Sequence, residues 1–204
     1  HSIQTTIPLG REHSMEIRQL VLLAMFVFSL TSTMGCGGQA STQQRWQETL
    51  RQKNLKTPEK LKTVARQMFD LADVHCRQQD GQHPVTMSIN GGNPAGIVRT
   101  LEGKDADRVN AALKQFYLRP VISQLANFVH YTRNLHLGPV EVEILAPEIQ
   151  GQQIADSSTA QYSLVLNPKD FDAFVEAAKL GTKEAVQQCE AIWTVRQDRW
   201  ASKR

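Results

Sequence analysis

The sequence predicts an α+β fold: a small mixed or antiparallel sheet of about two hairpins, covered by helices, with a kinked central helix and two C-terminal helices. Three observations carry that expectation. Apolar residues recur at helical spacing in long stretches near Leu61, Leu113 and Phe174. Val85, Met87 and Ile89, then Val140, Val142 and Ile144, then Tyr162, Leu164 and Leu166 alternate with polar neighbours at the period of a half-buried strand. Cap and turn chemistry separates these runs, as at Thr57-Pro58, Asn90-Gly91-Gly92 and Asn167-Pro168.

Taken in order, Gln43 to Lys53 is a short helix that carries Trp46 and Leu50 towards the domain. "TPEKLKTVARQMFDLADVHC" follows as one helix over residues 57–76, with Thr57 at its N-cap and Pro58 at its first position. Val85–Ile89 and Ile97–Leu101 read as a hairpin around Asn90-Gly91-Gly92. From Asp105 to Leu135 one helical phase survives across Pro120, which predicts a kink or two helices meeting there. Val140–Ile144 and Tyr162–Leu166 form the second strand pair, joined by the polar connection "EIQGQQIADSSTA". Two helices close the chain, one after Asn167-Pro168 and one from Thr182 that aligns Val186, Cys189, Trp193 and Trp200.

With 204 residues, 41% hydrophobic and 21% charged, the chain can bury one real core, assigned to residues 45–204. The net charge of +3 comes from basic residues that read as scattered among acids, and no nucleic-acid partner is implied.

The N-terminal part has another character. From Met15, Arg18 precedes an uncharged apolar run from Leu20 to Leu30, and small and polar residues follow it. That is the layout of a secretory signal. Eleven helical residues rise only about 16 Å against a hydrocarbon core of about 30 Å, which argues against a permanent span. Residues 1–14 read as an extension upstream of a start at Met15.

"TMGC", Thr33 to Cys36, resembles the lipobox of bacterial lipoproteins, in which a small residue precedes a cysteine that takes a diacylglycerol thioether and becomes the new N-terminus. Thr33 stands where Leu is usual, and Met34 is uncommon at its position. The resemblance implies a signal peptide over 15–36, lipidation at Cys36, a tether over 37–44 and the lipid bilayer as partner. Gly37, in place of an Asp after the cysteine, implies the outer membrane, with the domain facing the periplasm. A plain secretory signal, cut after Gly35 or Ala40, is the alternative.

Residues that carry chemistry are sparse. A Gly-x-Ser-x-Gly elbow, His-Glu-x-x-His and Cys-x-x-Cys are all absent, and the glycines after Asn90 match no phosphate loop. No metal and no cofactor is implied. His130 and His136 diverge on a helix, and Glu141 and Glu143 share one strand face, which reads as its wet side. Two function classes stay open: a non-enzymatic accessory or binding module for another envelope protein, and an enzyme that gathers dispersed residues such as His83, Glu141 and His130. Export would also allow a disulfide between Cys76 and Cys189, provided the 57–76 helix packs on the last helix and brings Trp193 near Phe69.

Overall fold

The computed structural model describes residues 41–150, 153–180 and 183–201. The extension 1–14, the signal 15–36 and Cys36 lie outside the described residues. Ser41 starts the first helix with a capping box: its hydroxyl accepts the Gln44 N–H at 3.3 Å, and the Gln44 side chain accepts the Ser41 N–H at 2.8 Å. Helix α1 (Thr42–Arg51) buries Trp46 and Thr49. The assigned tether is therefore shorter, since Thr42 to Gln44 are already helical.

Helix α2 (Thr57–Met68) has Pro58 in its first turn and buries Leu61, Val64 and Ala65. It does not continue to Cys76. Phe69 turns extended at φ −122°, and Leu71–Cys76 is strand β1, antiparallel to β2 (His83–Asn90). The turn between them uses Asp80 and Gly81, both at positive φ, and Gln79 and Gln82 exchange backbone hydrogen bonds of 2.9 and 2.8 Å. Asp-Gly in that conformation matches the twist of a hairpin. Pairing at five of the six residues of β1 outweighs a helical periodicity that Leu71, Ala72 and His75 carried only weakly.

The expected hairpin partner at Ile97–Leu101 is also corrected. Asn93 accepts the Ala95 N–H at 2.9 Å, and Ala95–Thr100 is a short helix, α3, with Val98 buried. Asn90-Gly91-Gly92 is instead a close crossing. Gly91 donates to the Leu145 carbonyl at 2.7 Å, and a Cβ there would come within 2.7 Å of both that oxygen and the Tyr117 ring.

Helix α4 (Ala106–Thr132) is continuous and contains Pro120. The proline removes the donor for the Phe116 carbonyl, and it sits on the exposed side, where a kink bends the helix around the core. Strands β3 (Leu137–Gln150) and β4 (Gln153–Leu166) form a long hairpin that takes up most of the polar stretch expected as a connection. Phe171–Ala178 (α5) and Lys183–Ile192 (α6) follow. The last helix stops there, and Thr194–Asp198 is a fifth strand, β5, on the free side of β4.

The sheet order is β1-β2-β3-β4-β5, antiparallel except for the parallel β2/β3 pair, which α3 and α4 connect. This is the mixed α+β arrangement the sequence predicts, with one hairpin placed elsewhere. Val85, Met87, Ile89, Val140, Val142, Ile144, Leu164 and Leu166 point to a single core shared with α1, α2, α4, α5 and α6. Thr86, Ser88, Glu141, Glu143 and Ser163 alternate to the other, polar face. Among the described residues no helix is long and apolar enough to cross a membrane.

Candidate functional site

Among the described residues, ionisable and aromatic side chains gather where α4, α6, β4 and β5 meet. Lys114, one residue past buried Leu113 on α4, reaches Asp198 of β5 at 2.6 Å and Glu190 of α6 at 2.7 Å. Its ammonium also stands 5.5 Å from the centre of the Tyr162 ring. The Tyr162 hydroxyl donates to Glu190 at 2.7 Å and accepts the Trp193 indole N–H at 3.1 Å. Trp200 stacks on Tyr117 at 5.0 Å and on Tyr162 at 6.0 Å, and its backbone N–H bonds the second Asp198 oxygen at 3.0 Å.

The electrostatics follow from that closure. Desolvation pulls the Lys114 ammonium down, but the hydrogen bonds and charges of Asp198 and Glu190 outweigh it and hold its pKa above the ordinary lysine value. Burial, then the bond to Glu190, pushes the Tyr162 phenol up, and burial alone pushes Tyr117 up to about 12. Both tyrosines stay neutral hydrogen-bonding groups at any physiological pH.

Beside this cluster is a half-open cleft of about 560 Å³, lined among others by Asn110, Leu113, Glu148, Gln161, Asp198 and Trp200. Glu148 is paired with Arg199 at 3.0 Å. The cleft presents amides, an apolar floor and charges that neutralise one another. General acid or base work needs a titratable group free to reach a substrate. Asp198 commits one oxygen to Lys114 and the other to Trp200. The arrangement suits binding of a polar, uncharged surface better than proton transfer.

The residues singled out from the sequence do not converge here. His83 begins β2, buried on the core side, with Nδ1 3.3 Å from the Arg77 carbonyl. Glu141 lies on the opposite sheet face, 3.5 Å from Arg196, and its neighbour Glu143 accepts the Ser88 hydroxyl at 3.2 Å. His130 is on the exposed side of α4 against Tyr131. The dispersed set His83, Glu141 and His130 is therefore not gathered into one site. Among the described residues no group of three His, Cys, Asp or Glu could hold a metal ion.

Cys76 sits on edge strand β1 and Cys189 is fully buried on α6; both are free thiols, so the bridge left open by the sequence is not formed. Its structural premise fails as well, because residue 76 is not helical. Phe69 packs on Phe128, whereas Trp193 packs on Tyr162 and Phe174. Burial, then Glu190, pushes the Cys189 thiol up to about 11, and burial also raises Cys76.

Lys114, Tyr162, Glu190 and Asp198 were missed by sequence reasoning, and no local signal marks them, since Lys114 and Asp198 are 84 positions apart. Comparison of the chain with models of known families, with curated proteins and with solved structures finds no match in any of the three.

Proposed function

We propose that the chain is an exported lipoprotein of the cell envelope, anchored at Cys36 and carrying a non-enzymatic accessory or binding module. The observation that carries this reading is the apolar run Leu20–Leu30 followed by Thr33-Met34-Gly35-Cys36. Two or three acyl chains on one cysteine are enough for stable attachment, at about 0.8 kcal/mol for each buried methylene. A binding role is supported by the corner cluster, whose charges are spent on one another, beside a cleft of amides and apolar carbons. Gly37 favours the outer membrane and a domain facing the periplasm, with another envelope protein as partner.

The test is expression of the chain and its Cys36→Ser variant in intact bacterial cells supplied with labelled fatty acid. The reading expects a mature species beginning at Cys36 that carries the label and fractionates with membranes, and an unlabelled variant. Equal secretion of both proteins without label would overturn the anchor and leave a plain secretory signal. Cross-linking in the same cells then reports whether a membrane-associated protein is held by the wild type and released by the variant.

A further inference from the structure

The strongest charge asymmetry in the chain falls on its first two helices. Residues 41–69 hold seven basic residues against two acidic ones, net +5, where the whole chain carries only +3. The scatter of cations read from the overall composition is corrected by that local excess. Arg51, Lys53 and Lys56 stand within six residues at the turn between α1 and α2, all exposed, with no acid between Glu48 and Glu59. Lys60 adds a fourth cation, its ammonium 3.3 Å from the Leu50 carbonyl, and Arg66 is exposed farther along α2. The apolar side of the pair is fully used, since Trp46, Leu61, Val64 and Ala65 are all buried. The outward side is therefore cationic, with half-buried Leu55 at its centre.

We propose that this basic turn docks on an anionic phospholipid surface. Its location leans on the anchor reading: the five residues from Cys36 to Ser41 extend at most about 18 Å, and α1 adds about 15 Å. A chain acylated at Cys36 thus holds Arg51 to Lys56 within reach of the headgroups, at high effective concentration. A nucleic acid fits less well, because binding of single strands uses exposed aromatic rings, and Trp46 and Phe69, the two aromatic residues of this segment, are both buried. Beside an acyl anchor, a polybasic surface adds an electrostatic attraction to anionic headgroups that the acyl chains do not supply.

Each basic residue near an anionic bilayer strengthens binding roughly fivefold. The experiment uses the full chain with Cys36→Ser, so that no acyl group contributes. It is sedimented with phosphatidylcholine vesicles, with or without phosphatidylglycerol, and compared with the same chain carrying Arg51→Gln, Lys53→Gln and Lys56→Gln. The apolar run Leu20–Leu30 is common to both proteins and cancels. The expected result is a preference for anionic vesicles that weakens with salt and falls on the order of a hundredfold in the triple variant. Glu48→Gln in the parent should raise the preference roughly fivefold. Equal binding to both vesicle types, a triple variant with the parent's preference, or tighter binding to single-stranded or duplex DNA than to anionic vesicles would each overturn the proposal. Because no acyl chain is present, failure here leaves the lipid anchor standing, and absence of fatty-acid labelling in cells leaves the basic surface standing.

Discussion

Lysine and arginine occupy two contrasting settings in this molecule. At the C-terminal corner Lys114 is enclosed by Asp198, Glu190 and the Tyr162 ring, and its side chain is 20% exposed. At the turn between α1 and α2, Arg51, Lys53 and Lys56 face water. The corner joins α4 to α6 and β5, elements distant in sequence, so its charge is a tie in the fold. The N-terminal pair is instead held by apolar contacts such as Trp46 on Tyr131, at 4.5 Å between rings, and by the hydrogen bond between Thr49 and Gln67. Its cations are left over from folding, and that is the condition for using them elsewhere.

The sharpest way to break the contrast is to empty the corner. Trp200, 6% exposed and stacked on two tyrosines, closes the end of β5. Trp200→Ala should cost about 4 kcal/mol, read as a lower urea midpoint at unchanged slope. A midpoint within error of the parent would show that this corner does not hold the fold.

Removing the cation comes next. Lys114→Met leaves the Asp198 and Glu190 carboxylates without a cation, each keeping only one neutral hydrogen bond, and should destabilise by about 3 kcal/mol, whereas adding Asp198→Asn and Glu190→Gln should recover much of the loss. If the triple variant is no better than Lys114→Met, the cost comes from packing. The corner also predicts alkaline sensitivity. Lys114, Tyr117 and Tyr162 all have pKa values raised by folding, so the folded state holds protons that the unfolded chain releases. The contribution of these three groups is then full below about pH 10, where they are protonated in the unfolded chain, and falls as pH rises through the folded value of about 12 for Tyr117, while the raised Cys76 and Cys189 thiols start the decline from about pH 9. A denaturation series from pH 8 to pH 12 should show that decline, and Tyr117→Phe should flatten it.

The same contrast explains what the sequence could and could not reveal. Helix α4 and strands β2, β3 and β4 are legible because each carries enough residues on one face to declare its period. Residues 71–76 and 194–198 are not legible, because each short run fits a helix about as well as a strand and only its neighbour decides. β2 holds the first through the Asp80-Gly81 turn, a signal present in the sequence that the longer helical reading of 57–76 absorbed. β4 holds the second and draws Trp200 out of the helical line it shares with Cys189. The corner cluster depends on both long-range pairings, so no window of sequence contains it. The basic turn lies within one window, but the whole-chain charge of +3 hides it because residues 70–204 carry the compensating acids.

At the N-terminal end effects should be smaller. Ser41→Ala removes the half of the capping box on α1 that the hydroxyl accepts, leaves the backbone N–H on the Gln44 side chain, and should cost about 1 kcal/mol, with loss confined to the helix that carries Trp46. Hydrogen exchange would locate it: faster exchange of the first α1 amides with unchanged exchange in β3 and β4 is the expected pattern. Faster exchange throughout would mean that α1 unfolds only with the rest.

The smallest effect is the most informative. Arg51, Lys53 and Lys56 are exposed, surrounded by like charge, and outside the apolar contacts that fasten α1 to α2. Arg51 stands in the last turn of α1, where a cation is favoured, and Lys56 at the N-cap of α2, where it makes no cap hydrogen bond and a cation is disfavoured. The two effects offset, and exposed exchanges of this kind change stability by no more than about 0.5 kcal/mol. Here the change should be neutral or slightly favourable, since it relieves repulsion within a segment of net +5. The triple glutamine variant should therefore unfold at the parent's urea midpoint, while Lys114→Met, one substitution of the same residue type, unfolds well below it. A triple variant that loses as much as Lys114→Met would make the N-terminal cations structural ties like Lys114, and the two settings would no longer differ in kind.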